Sequence, residues 1–361
     1  MTSVPRVLVV VVNWNGREFL GDCLRSIAAQ QVKGGLRAIV FDNGSTDGSV
    51  EFLAAEFPDV EVVRTDRNNY ARANNAGVAR AGEFALLLNT DATLRDGCVQ
   101  KLLDALDADP RAAAAAPKIV FPDGRICTTG IAERDDLYWV DRGQGSTDDG
   151  CGGPATPVFG VSGCCALFRS SAWREAGGQD EEFHMYYEDV DLALALRAKG
   201  WRSLYVPLAC CVHVGHGSIR KSKTWKDELG ERNRLLVLAR HFAERFVREL
   251  VRSPWFQSAS PEQMRELMPS LARRLAGSGD GDLVAMLLDM VLALRDEVRS
   301  YAGELDVKWG EHRNLPKILM EREGWIATLL EEVRRLRLWR LPGRRLKPDE
   351  QRFLDRVRGQ S

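Results

Sequence analysis

Apolar and polar positions follow two periods over the first 120 residues, and the switches between them mark out elements. Residues 6–12 (RVLVVVV) form a continuous, mostly β-branched run, the pattern of a strand buried on both faces. Phe19, Leu20, Cys23, Leu24 and Ile27 then fall on one face of a helix predicted over 17–30. A second apolar strand is expected at 36–41 (LRAIVF), then a helix from about Ser49 to Phe57 and a strand at 60–64. An Asn-rich helix near 70–81 and a strand at 83–88 (EFALLL) complete the series. This alternation predicts right-handed βαβ units, hence an α/β fold with a mostly parallel central sheet and flanking helices.

Ligands in such sheets bind beyond the carboxyl ends of the strands. Every polar cluster of this half falls at such an end. Asn13, Asn15 and Gly16 follow strand one, and Asp42, Asn43, Ser45 and Asp47 follow strand two. Thr65, Asp66, Asn68 and Asn69 follow strand three, and Asn89, Thr90 and Asp91 follow strand four. Four polar ends in register predict a single polar pocket.

Residues 141–157 are rich in Gly, Ser, Asp and Pro and read as a mobile loop of lid or acceptor type. A second ordered block follows. VFGVSGCCALF is strand-like, SSAWREAGG is a short helix closed by glycine, 187–199 is a helix, and WRSLYVP and ACCVHVG are strands. After Gly217 the pattern is helical, broken at Ser253-Pro254, at 277–282 and at Leu341-Pro342-Gly343. The expected organisation is a catalytic domain over 1–218, with halves at about 1–120 and 121–218, and a helical region over 219–361.

Composition narrows the function. The 361 residues sum to a charge of −1, but 21 basic face 29 acidic residues up to Val214, and 29 face 22 from Gly215 onward. An acidic body does not suit duplex DNA, so no nucleic-acid partner is expected. The eight cysteines include no C-x-x-C pair and read as free, buried thiols. The first apolar run is too short for an export signal and no run approaches a membrane span, so the expected compartment is the cytoplasm. No P-loop and no G-x-G-x-x-G follows the first strand, which disfavours a Walker-type NTPase and a dinucleotide oxidoreductase.

Three motifs carry candidate chemistry, each beside a plainer reading. DNGSTDGS is either a turn rich in helix caps or a nucleotide contact, with Asp42 accepting a base N–H and Asn43 and Asp47 fixing the loop. Asp91 in LLLNTDA leaves a buried strand, and a buried carboxylate needs a partner. A Mg²⁺ or Mn²⁺ bound to a diphosphate would be one; capping the next helix is the alternative. Glu188, Asp189 and Asp191 open a helix, where acids complement the macrodipole. Phe183, Tyr186 and Tyr187 crowd beside them, and an apolar wall makes a carboxylate a stronger base. His213 and His216, at i and i+3, are a further ligand signal that would favour Mn²⁺.

NWNG, FDNGSTDGS, NNYARANNAG, LLLNTDA, YYEDVDLALALRAKGWR and HVGHGS, in this order, resemble family 2 glycosyltransferases of the GT-A fold, particularly bacterial rhamnosyltransferase-like members. The resemblance covers about residues 5–240. It implies inverting transfer from a nucleotide-sugar donor to the hydroxyl of a cell-surface, lipid-linked or secondary-metabolite acceptor. It also implies roles: Asn13 and Asp42 for the nucleobase and ribose, with Asn69 and Asn74 lining that pocket. Asp91 with Asn89 would meet metal and diphosphate, His213 would be a further metal ligand, Asp189 the base, and Glu188 its orienter. Trp173 and Tyr187 would stack on sugars. Asn-Thr-Asp stands where the family has Asp-x-Asp, commonly with proline between, and His216 competes with His213.

The segment 334–358 carries 10 basic and 3 acidic residues interleaved with Leu336, Leu338, Trp339 and Leu341. It reads either as contact with an anionic membrane, where lipid-linked acceptors would sit, or as a helix pair packing on the catalytic domain or a second subunit, the plainer reading. A nucleotidyltransferase of related fold and a non-catalytic nucleotide- or glycan-binding module are the alternatives to an enzyme of the resembled family.

Overall fold

The computed structural model describes residues 5–148, 150, 152–215, 223–242, 245–246, 249–250, 253–259, 263, 266–267, 270–271 and 273–274. The chain divides into two compact units, 1–234 and 235–361. His216, Cys151 and the basic segment 334–358 lie outside the described residues.

Among its described residues the first unit carries twelve strands. These are β1 (Val7–Asn13), β2 (Leu36–Asp42), β3 (Glu61–Arg64), β4 (Phe84–Asn89), β5 (Ala92–Leu94) and β6 (Ala112–Val120), then β7 (Ile126–Thr128), β8 (Ile131–Glu133), β9 (Trp139–Asp141), β10 (Thr156–Val158), β11 (Cys165–Arg169) and β12 (Arg202–His213). The helices are α1 (Arg17–Ala28), α2 (Ser49–Glu56), α3 (Tyr70–Val78), α4 (Cys98–Ala108), α5 (Ser170–Ala176), α6 (Glu188–Ala198) and α7 (Lys223–His241). The main sheet runs β10-β12-β6-β11-β4-β1-β2-β3, with β5 on β12 and β7 on β6; β8 and β9 form a separate hairpin. β4, β1, β2 and β3 are mutually parallel, as are β6 and β12, and β11 inserts antiparallel between β4 and β6.

Alternation along β1 explains the layers. Val7, Val9 and Val11 pack with Leu20 and Leu24 of α1 and Leu102 of α4. Leu8, Val10 and Val12 pack with Ala73 of α3, Trp173 of α5 and Leu192 of α6. The sheet is therefore buried on both faces, as its apolar runs require.

One strand falls on a run to which the sequence pattern assigns no element, and one strand reading changes. β6 is an Ala-rich run, Ala112–Ala116, buried throughout at the centre of the sheet. Alanine favours helix, and tertiary context overrides that preference here. WRSLYVP and ACCVHVG are one strand, β12, with a register shift between Val206 and Cys210 around the exposed Leu208. The loop after β9 is tethered rather than free. Lys118 pairs with Asp148 at 2.8 Å, Arg125 bridges Thr147, and Ile126 and Ser146 share a backbone hydrogen bond. All described cysteines are free, and all but the partly exposed Cys210 are buried.

In the second unit the described residues include the end of α7 and a short helix, Pro254–Ser258, with Phe246, Leu250, Trp255 and Phe256 buried. Among the described residues no helix is long and apolar enough to cross a membrane.

Gly77 sets how closely α3 approaches β1. A β-carbon there would lie 2.7 Å from Cγ2 of Val10. Gly77→Ala gains helix propensity worth about 1 kcal/mol but overpacks a core contact at about 1–3 kcal/mol. A net fall in thermal melting temperature is expected; an unchanged or higher one would show that β1 and α3 can separate freely.

Candidate functional site

A cavity of about 800 Å³ opens at the carboxyl ends of the parallel strands. Its wall takes Val12 and Trp14 from the end of β1, Asn43 from β2, Asn68 from beyond β3, and Asn89, Thr90 and Asp91 from β4. The lining also includes Glu188, Asp189 and His213, together with Trp139 and Asp141 from β9. The expected convergence of strand ends is therefore present.

Thr90 explains how Asp91 reaches the cavity. Its hydroxyl donates to the Val12 carbonyl at 2.8 Å, tying the Asn-Thr-Asp turn to β1. Tyr70 donates to Asn89 Oδ1 at 2.9 Å. β5 then pairs with β12, placing Ala92 opposite His213, and Val214 N–H donates to the Asp91 carbonyl at 3.0 Å. His213 Nε2 stands 3.2 Å from Asp91 Oδ1, while its Nδ1 lies 3.6 Å from Cys127 Sγ.

This pair suits a divalent cation. Two cis ligands at about 2.1 Å from a Mg²⁺-sized ion lie about 3 Å apart, close to the observed 3.2 Å. One carboxylate oxygen and one imidazole nitrogen form a borderline donor set suited to Mn²⁺. Among the described residues no group of three or more His, Cys, Asp or Glu side chains has metal-holding geometry. The remaining ligands would be diphosphate oxygens and water, the usual arrangement for Mg²⁺ at a phosphate site.

α6 delivers the other acids. Gly163 N–H donates to Asp189 Oδ2 at 3.2 Å and Val190 N–H to Oδ1 at 2.9 Å. Burial pushes the Asp189 carboxyl up to about 6; the Gly163 hydrogen bond opposes this and the nearby Asp141 carboxylate adds to it. Burial, reinforced by the Asp189 charge, holds the Glu188 carboxyl well above the ordinary range. Glu188 Oε2 is buried and accepts no hydrogen bond. Burial also raises the Asp141 carboxyl, against the Thr128 hydroxyl and the charge of His213. Tyr187 lies edge-on to Trp139 at 6.1 Å, so an aromatic wall flanks the acids.

Several expected contacts are placed elsewhere. Asn13 and Asp42 are fully buried, outside the cavity wall: Asn13 donates to Asp42 Oδ1 at 2.9 Å and to Ser45 Oγ at 3.0 Å, and Ser45 N–H donates to Asp42 Oδ2 at 3.1 Å. Asn15 Oδ1 accepts from Thr46 N–H at 2.8 Å, and the Asn15 N–H donates to Ser45 Oγ at 2.9 Å. These hydrogen bonds brace the two loops, and of that set Asn43 lines the cavity. Asn69 caps α3 by accepting from Arg72 N–H, and donates to the Glu181 carbonyl at 2.7 Å. Asn74 is buried on Gln179 at 3.0 Å. Trp173 is a core residue packed edge-on against Phe168 at 4.9 Å.

Sequence reasoning missed Asp141 and Trp139. Asp141 opens the stretch read as loop, and nothing in the pattern separates it from Asp148 and Asp149.

Comparison with known proteins agrees with this geometry. Residues 8–177 match the family model for glycosyl transferase family 2. An N-acetylglucosaminyl-diphospho-decaprenol L-rhamnosyltransferase of Mycobacterium tuberculosis is 33% identical over 201 residues, 48% of this chain and 65% of that protein. The chain thus covers less than two thirds of that relative. An N-acetylglucosaminyltransferase of Bradyrhizobium elkanii is 32% identical over 124 residues, 32% of this chain and 68% of that protein. The solved structure of GalNAc-T7 with UDP, GalNAc and Mn²⁺ superposes with a TM-score of 0.55 at 14% identity, covering 79% of this chain and 58% of that one, and so shares its fold. With a GT-A sheet, a cavity at its carboxyl edge and these matches, the chain belongs to the family 2 glycosyltransferases.

Proposed function

We propose that the protein transfers a sugar from a nucleoside-diphosphate sugar to an acceptor hydroxyl with inversion at the anomeric carbon, assisted by a divalent cation. The observation that carries this reading is that Asp91 with His213, and Glu188 with Asp189, face one cavity from different chain segments. Direct displacement needs that arrangement, since the leaving group and the attacking oxygen occupy opposite faces of the sugar. The acceptor oxygen bonds to the anomeric carbon as the bond to the diphosphate oxygen breaks, and Asp189 takes the acceptor proton.

Asp91 and His213 would hold the cation, which when bound supplies positive charge beside the departing diphosphate. Gly163 N–H and Val190 N–H hold both Asp189 oxygens without protonating them, so the carboxylate remains able to accept. Burial and the neighbouring Asp189 charge favour the protonated form of Glu188, which in that form can donate a hydrogen bond to a substrate oxygen. Trp139 and Tyr187 offer ring surface to a sugar. The acceptor classes that fit are a cell-surface glycan precursor, a lipid-linked sugar or a small metabolite; the rhamnosyltransferase relative supports the lipid-linked class.

Thermal shift with UDP, GDP and dTDP, each with and without Mn²⁺, tests the donor site. One nucleotide should stabilise the fold, more so with Mn²⁺. Asp91→Asn and His213→Ala should abolish the Mn²⁺ increment. An increment retained in both variants would remove these residues as ligands.

Asp189→Asn should lower kcat by roughly 10²–10⁴-fold while nucleotide binding persists. A nucleotide- or glycan-binding module would show binding alone, with no turnover to lose. In the wild type kcat/KM should rise with pH through about 6, as the base of the free enzyme ionises.

Stability gives an independent readout. The folded Asp189 titrates near 6 against 3.8 unfolded, so the native state holds its proton more tightly. The penalty is absent below about pH 4, grows between the two values, and is complete above about 6, reaching up to about 3 kcal/mol. Asp189→Asn should therefore raise the melting temperature at pH 8 and leave it nearly unchanged at pH 4. Equal effects at both pH values would contradict the raised value.

A further inference from the structure

The segment before Glu188 has an unusual backbone. His184, Tyr186 and Tyr187 all take positive φ, at 60°, 64° and 68°, a region that side chains other than glycine rarely adopt. None of their carbonyls belongs to a strand. Each carbonyl from Phe183 to Tyr187 nevertheless has a donor. Tyr70 N–H and Ala71 N–H, at the start of α3, donate to the His184 carbonyl at 3.1 and 3.3 Å, and Asp191 N–H donates to that of Tyr187 at 2.9 Å. The other three converge on one side chain. Asn233 Nδ2 donates to the carbonyls of Phe183 at 3.0 Å and of Met185 and Tyr186 at 2.8 Å each.

Asn233 is fully buried on α7, inside the first unit. Arg232 Nη1 donates to Asn233 Oδ1 at 2.6 Å, so the amide is oriented with its NH₂ toward the three carbonyls. Two N–H bonds serving three acceptors, in a site closed to water, make a fastening no apolar or acceptor-only side chain can replace.

We infer that Asn233 is a positioning residue for transfer: it fastens the strained 183–187 segment and so sets where the acids opening α6 stand in the cavity. The inference rests on the reading of Asp189 as base. It is tested on the full chain with Asn233→Leu and Asn233→Asp, both close in volume. The aspartate would turn an acceptor toward three carbonyls. Asp189→Asn is assayed in parallel.

Amide hydrogen exchange is followed by peptide, and kcat and KM across pH. Both Asn233 variants are expected to speed exchange over 183–190 by roughly tenfold or more with 36–48 unchanged. They should also lower kcat by about tenfold or more, leave donor KM within about twofold, and shift the acid limb of the kcat profile. Wild-type exchange over 183–190 in both variants overturns the inference. So does acceleration spread over the whole unit, which makes Asn233 a general packing residue, or accelerated exchange with wild-type kcat. If Asp189→Asn retains turnover while the Asn233 variants lose it with local acceleration, the base assignment fails and the fastening stands.

Discussion

Crowding of carboxylates around a partly dry cavity is the constraint that organises this protein. Asp91, Asp141, Glu188 and Asp189 all line one cavity, and like charges in low dielectric repel strongly unless protons, cations or N–H groups offset them. Each acid meets this differently. Asp91 has His213 at 3.2 Å. Asp189 receives two backbone N–H groups. Glu188 has no hydrogen-bond partner at Oε2 and is held toward its neutral form by burial and by its neighbour. Environments that push neighbouring carboxyls apart are what acid–base chemistry uses.

That crowding demands a rigid frame, and asparagine amides supply much of it. Asn13 joins the β1 and β2 ends through Asp42 and Ser45. Asn74 and Asn75 hold Gln179, Asn69 holds Glu181, and Asn233 holds three carbonyls beyond it. An amide carries both donors and an acceptor and no charge. It can therefore satisfy buried loop backbone beside a set of acids without adding to their repulsion or neutralising them.

The strands of the parallel half were legible because they are buried on both faces, which leaves continuous apolar runs such as VLVVVV. The polar pocket was legible because strand polarity places every carboxyl end on one rim. β6 was not: burial at the centre of the sheet, not intrinsic preference, makes Ala112–Ala116 a strand. At the site, motif position identified Asn43, Asn89, Asp91, Glu188, Asp189 and His213 as cavity residues. It could not say which asparagines face a ligand and which face backbone, because both uses need the same side chain. Asn13, Asn69 and Asn74 went to backbone and loop contacts for that reason. Asp141 arrives through a short hairpin inside a stretch read as loop, and Asn233 through a late helix whose contacts to 183–186 lie 47 to 50 residues away in sequence.

The same non-locality bears on where the catalytic unit ends. A boundary at 218 keeps every strand and both acids of α6, yet omits α7. The first compact unit runs to Arg234, and the difference contains Asn233. Positive φ at His184, Tyr186 and Tyr187 costs of order 1–3 kcal/mol at each residue and persists only where surroundings over-determine it. On one side α3 supplies that determination, through Asn69 and the N–H groups of Tyr70 and Ala71. On the other it comes from α7, more than forty residues further along the chain. The rim at the ends of β1, β2 and β4 is therefore held by strand pairing and by side chains joining neighbouring loops, while the segment before Glu188 is held by α7 as well as by α3.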